Sequence, residues 1–141
     1  MDIRAISETF AVSPQIAPED VGAIKAAGFS TVVCNRPDAE IPPEVQSDAI
    51  REAVEAAGLR FVMNPLSHGS LTMDHVETQG RALADAGGPV LAYCASGNRS
   101  AILWALSQAG AVPTDDLVEA GGRAGYNLEP VRQQIDQLAR R

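Results

Sequence analysis

Short apolar runs punctuate a chain that is otherwise mixed in polarity. Thr31–Cys34, Arg60–Met63 and Val90–Tyr93 are each flanked by polar or turn-forming residues, the setting of short strands buried in a parallel sheet. A weaker pair of strands falls within Ile3–Val12. Between the runs the apolar spacing becomes helical. Val21 and Ile24 share a face, with Pro18 suited to the first turn and Gly28 to a stop. Ser47 is placed to cap a helix that carries Ile50 and Val54 and ends at Gly58. Thr72 is placed to cap a helix that carries Val76 and Leu83 and ends near Gly87. Ile102, Leu103 and Leu106 follow the loop after Tyr93, in a helix expected from about Ser100, and Val131, Ile135 and Leu138 form an i, i+4, i+7 stripe on a last helix. Gly121–Tyr126 reads as a glycine-rich connector. Strands alternating with helices predict an α/β three-layer sandwich around a mostly parallel sheet. The absence of repeats, linkers or low-complexity tracts predicts a single domain over residues 1–141. In such a sheet ligands bind beyond the carboxyl ends of the strands.

One strand end carries chemistry. Val90–Tyr93 delivers Cys94 to the polar turn Ala95-Ser96-Gly97-Asn98-Arg99-Ser100. Gly97 permits a turn whose successive N–H groups converge into an anion-binding nest. The following helix start adds positive potential, and Arg99 adds a planar, permanently charged fork. These features favour the thiolate, which is the nucleophilic form of cysteine. The candidate catalytic residues are therefore Cys94 and Arg99, with Ala95, Ser96, Gly97, Asn98 and Ser100 as candidate substrate-binding residues; the side chains of Ser96, Asn98 and Ser100 read equally as stabilisers of the turn. The competing reading, an inert buried cysteine, fits poorly with a glycine, an arginine and a helix start within six residues.

Charge and composition narrow the partners. Eleven basic and 18 acidic residues give a net charge of −7, which argues against a general nucleic-acid surface. A small anionic substrate would have to be held by local positive groups against the overall field. No apolar run approaches the length of a membrane span and the first residues lack an export signal, so a cytoplasmic location without membrane association is expected. Two cysteines do not make a disulfide framework. The two histidines, His68 and His75, have no cysteine pair nearby and make no zinc pattern; no metal or organic cofactor is expected.

The segment Cys-x-x-Gly-x-Arg-Ser resembles the active loop of single-domain rhodanese sulfurtransferases. More of the chain resembles the beta-lactamase-hydrolase-like phosphatase-like family: Phe10-Ala11-Val12-Ser13-Pro14-Gln15-Ile16, Ala27-Gly28-Phe29, Asn35-Arg36-Pro37-Asp38, Tyr93-Cys94 through Arg99-Ser100-Ala101, Trp104-Ala105-Leu106 and Gly125-Tyr126. That resemblance implies a fold similar to dual-specificity phosphatases. Some family members are fused to persulfide dioxygenase-type metallo-hydrolases and some are described as sulfur transferases. It thus implies two chemistries, and a thiol or persulfide-handling protein as a partner for one of them. Dual-specificity phosphatases place five residues between Cys and Arg, whereas Ala95–Asn98 are four, the rhodanese length. Phosphatases of this kind also use an Asp general acid from a separate loop. Asp74 lies in the matching chain region but reads better as a first-turn residue of a helix, and Tyr93, not histidine, precedes Cys94.

The sequence thus points first to a sulfurtransferase that carries sulfane sulfur as a Cys94 persulfide. The alternatives are a cysteine-dependent phosphatase working through a phosphocysteine, and a non-catalytic anion or redox sensor. Arg36, after the Thr31–Cys34 strand, is a candidate substrate-binding residue on the same rim, with Asp38 to orient it or simply to shape the turn. Cys34 reads as a small buried hydrophobe in preference to a resolving thiol. His68 reads as a polar loop residue with a second reading as a pocket proton donor, Trp104 as core, and Arg123 and Tyr126 as no more than pocket neighbours.

Overall fold

A computed structural model describes residues 1–140. The predicted strands form with the expected bounds: β3 Thr31–Cys34, β4 Arg60–Met63 and β5 Val90–Tyr93. The weaker N-terminal pair resolves into β1 Arg4–Ala5 and β2 Phe10–Ser13. They form one five-stranded sheet in the order β1-β2-β5-β3-β4, antiparallel only between β1 and β2. The helices are α1 Val21–Ala26, α2 Ser47–Ala56, α3 Met73–Asp85, α4 Asn98–Ser107, α5 Thr114–Arg123 and α6 Arg132–Ala139.

Side chains alternate across the pleat and build a core on each face. In β5, Leu91 and Tyr93 join Ile24, Ile50 and Val54 of α1 and α2 on one side. Val90 and Ala92 join Val76, Leu103, Leu117 and Ile135, from α3 to α6, on the other. Every residue of β2, β3 and β5 is buried, which is why these strands read as unbroken apolar runs and not as alternating ones. Trp104 belongs to the core, stacked on Phe10 at 6.0 Å between ring centroids. No helix among the described residues is long and apolar enough to cross a membrane.

Three local expectations change. Ser47 does not cap α2; it is the first helical residue. The Asp38 carboxylate, from the loop after β3, accepts its N–H at 2.7 Å and its hydroxyl at 2.8 Å. A cap supplied from nine residues away satisfies the same orphan donor and leaves no local signature. Helix α4 begins at Asn98, because Gly97 takes up the left-handed conformation immediately before it. The supposed connector Gly121–Arg123 is the last turn of α5. Glycine is needed there for close packing, since a Cβ on Gly121 would lie 2.4 Å from Leu128 Cδ1. Thr72 does cap α3, with His75 in the position usually taken by Glu or Gln: the Thr72 N–H donates to His75 Nδ1 at 3.1 Å.

Candidate active site

Because β2, β5, β3 and β4 run parallel, the segments that follow them meet at one edge of the sheet. Cys94 stands at the end of β5, its N–H reaching Ser13 O of β2 at 3.4 Å. The chain then turns through Ala95–Gly97 into α4. Gly97 N–H donates to Cys94 Sγ at 3.1 Å, a contact that stabilises negative charge on sulfur. Gly97 is confined to glycine twice over: its φ is 97°, and a Cβ would sit 2.3 Å from the Tyr126 hydroxyl. That hydroxyl donates to Ser96 O at 3.0 Å and props the turn from the far end of the chain. Within the described residues the N–H groups of Ala95, Ser96, Arg99 and Ser100 are not committed to an acceptor. They are the donors a nest of this kind offers an anion.

Arg99 is nearly fully buried, at 4% exposure, and its donors are apportioned. Nη1 donates to Glu40 Oε2 at 2.9 Å and to Leu66 O at 2.6 Å, and Nη2 donates to Glu40 Oε1 at 2.8 Å. A guanidinium has five N–H bonds in a rigid fork. Glu40 and Leu66 take three of them, so Nε–H and the second Nη2–H remain on one edge, which is the edge that chelates two oxygens of an oxyanion. The guanidinium is held charged beyond its ordinary range, first by the hydrogen bond to Glu40 and further by the nearby Cys94 sulfur.

Glu40 is the residue that sequence reasoning missed. It lies in a short turn of 3-10 helix, Asp38–Glu40, and also receives Arg36: Nε reaches Oε1 at 3.5 Å and Nη2 reaches the Glu40 carbonyl at 3.2 Å. Arg36 therefore stands on the expected rim, but Glu40 and Gln15 orient it, while Asp38 is given to α2. The hydrogen bond from Arg99, above all, holds the Glu40 carboxyl below its ordinary range. The ion pair contributes fully above the unfolded carboxylate value of about 4.3 and is lost only as pH falls through the lower folded value. The stability difference between the wild type and Glu40→Gln, measured by urea unfolding, should be flat from neutrality down to about pH 5 and should shrink below about pH 4.

The other anticipated residues separate clearly. Ala95, Ser96 and Asn98 are exposed at the mouth of the loop. Ser96 Oγ accepts the Asn98 N–H at 3.3 Å. Ser100 is buried and gives its hydroxyl to Asn35 Oδ1 at 2.8 Å, so its side chain anchors α4 and only its N–H is left for a ligand. Asn35 is held in turn by Asn64 O and Gln79 Oε1. Asp74 is exposed in the first turn of α3. It does not line the cleft of about 210 Å³ beside Arg99, which is formed by Leu66, His68, Leu71, Asn98, Ile102 and Val131 among others. Arg123 pairs with Glu119 on the surface, away from the site. Cys34 is fully buried, donates to Arg36 O at 3.3 Å, and is kept protonated chiefly by burial, as expected of a small core residue. Tyr93 points into the same core, its hydroxyl without a hydrogen-bond partner among the described residues and pushed well above its ordinary range by burial. The residue before Cys94 therefore takes no part in the anion site.

Known proteins agree with this architecture. A beta-lactamase hydrolase-like protein from Xylella fastidiosa (strain Temecula1) is 32% identical over 130 residues, which are 91% of this chain and 30% of that protein. The chain thus spans under a third of the length of the curated relatives it matches. A crystal structure from Neisseria meningitidis Z2491, provisionally named a phosphatase, is 33% identical, with a TM-score of 0.84, and covers 98% of this chain and 99% of its own. The catalytic domain of the Saccharomyces cerevisiae PP-IP phosphatase SIW14 shares the fold at 14% identity, with a TM-score of 0.70 over 99% of this chain and 90% of that one. Together with a family model that matches residues 2–111, these likenesses make the chain a member of the family described as beta-lactamase hydrolase-like protein, phosphatase-like domain.

Proposed function

We propose that the protein is a cysteine-dependent phosphatase acting on a phosphate monoester. The observation that carries this reading is the free Nε–Nη2 edge of Arg99 beside Cys94, above a loop with uncommitted N–H groups. That donor set suits the three non-bridging oxygens of a phosphoryl group, whose charge spreads in the transition state. The Cys94 thiolate attacks phosphorus, the ester oxygen departs, and water hydrolyses the S–P bond to return phosphate and thiolate. The phosphatase name of the Neisseria relative favours this reading over the sulfur transfer first drawn from loop length.

Sulfur transfer keeps one specific support, the four-residue gap between Cys94 and Arg99, which suits a compact sulfane sulfur on the cysteine. One preparation tests both. The kcat/KM for an aryl phosphate should exceed that for thiosulfate with cyanide or a thiol, with Cys94→Ser as blank. Rapid acid quench with labelled ester should leave phosphate on Cys94. A larger value for the sulfane donor, with an extra sulfur on Cys94 by mass spectrometry, would reverse the assignment.

A further inference from the structure

We infer that His68 is the proton donor to the leaving group, the role for which Asp74 was the sequence candidate; this rests on the phosphatase reading. A monoester whose alcohol is a poor leaving group needs an acid beside the departing oxygen. Asp74 and His68 are both exposed, but Asp74 does not line the cleft and His68 does. His68 and Arg99 are the ionisable residues lining that cleft, among Leu66, Leu71, Ile102 and Val131. The apolar side chains provide a surface for the ester's organic group, with an imidazole at its edge.

The loop that carries His68 is fixed to the catalytic centre. Leu66 O accepts from Arg99 Nη1 at 2.6 Å and Leu66 N–H donates to Asn35 O at 3.0 Å. His75 accepts the Thr72 N–H at Nδ1, which leaves Nε2 as donor to Pro65 O at 2.9 Å. Two residues beyond Leu66, a tight turn closes with Ser70 N–H on Ser67 O at 3.1 Å, and Gly69 at φ 77° fills its left-handed corner. His68 occupies the first corner of that turn, so its backbone is tied through Leu66 to the guanidinium of Arg99. The charged residue that lines the cleft with it is Arg99 on α4, whose guanidinium is in turn paired with Glu40 of the β3 loop.

The chemistry balances. As Cys94 Sγ bonds to phosphorus, the P–O ester bond breaks, its electron pair goes to the ester oxygen, and the His68 imidazolium supplies the proton. Neutral His68 then takes a proton from the attacking water. The S–P bond breaks with its electrons returning to sulfur, phosphate leaves, and imidazolium and thiolate are restored. Imidazole gives and takes protons near neutrality.

The test is a leaving-group series with the purified protein: phenyl, 4-nitrophenyl and 2,4-dinitrophenyl phosphate, with His68→Asn, His68→Gln and Asp74→Asn. Both His68 variants should lose about a hundredfold or more in kcat toward phenyl phosphate, with the loss falling to within a few-fold for the dinitrophenyl ester, which departs unaided. An equal loss across the series, or none, overturns the proposal, as does a leaving-group-dependent loss in Asp74→Asn instead. Wild type inert toward even the dinitrophenyl ester would overturn the phosphatase reading and this proposal together. Wild type active with a flat His68→Asn profile would overturn this proposal alone.

Discussion

Cys94→Ser should abolish turnover, with an expected loss in kcat/KM of at least about ten-thousandfold, because a serine hydroxyl is not ionised at neutral pH and is the weaker nucleophile. The fold should survive. The residue is 1% exposed, serine is nearly isosteric, and its oxygen can accept the Gly97 N–H that now meets sulfur. Steady-state kinetics on an aryl phosphate, with circular dichroism to confirm the fold, measure both. Cys34→Ser is the paired control. Its hydroxyl can donate to Arg36 O as the thiol does, and most activity should remain. Comparable losses in the two variants would show that the thiols act as a pair, and residual activity in Cys94→Ser beyond the blank would sink the nucleophile assignment.

Arg99→Lys should lose about a hundredfold to a thousandfold in kcat despite keeping the charge. The reason is the division of labour on the guanidinium. Three N–H groups serve Glu40 and Leu66 O, and two are left for substrate oxygens. An ammonium has three donors in all and no planar edge, so it can satisfy the protein or the substrate but not both. KM should move less than kcat, because the chelated oxygens carry most charge in the transition state. Lysine supporting full activity would reduce Arg99 to a general positive charge.

How far the sequence carried the reading depends on distance along the chain. Cys94, Gly97 and Arg99 lie within six consecutive residues, so strand, turn, candidate nucleophile and fork were legible as one motif. Strands β3 and β5 were legible because full burial writes them as continuous apolar runs; β4, exposed at Arg60 and buried at Phe61, was legible from its short apolar run alone. What holds the motif was not legible. Glu40 reaches Arg99 across 59 positions, Leu66 O across 33, and the Tyr126 hydroxyl reaches Ser96 across 30. Sheet order creates these contacts, and neither glutamate in a loop nor a backbone carbonyl leaves a periodic trace. Asp38 shows the same limit: it read either as a partner of Arg36 or as a turn residue, yet Ser47 claims it. Asp74 was correctly suspected of being a helix-start residue.

Tyr126 has a practical meaning for anyone redrawing the boundaries of this fold. The family model matches residues 2–111, and a fragment cut to that length would keep Cys94, Arg99 and every strand. It would lack the phenol that buttresses Ser96 and abuts Gly97, along with α5 and α6, whose Leu117 and Ile135 help close one core. The portable unit of this fold is therefore longer than its most recognisable stretch, and transplants or fusions designed around it need the segment through Tyr126 and the last helix to deliver a formed loop.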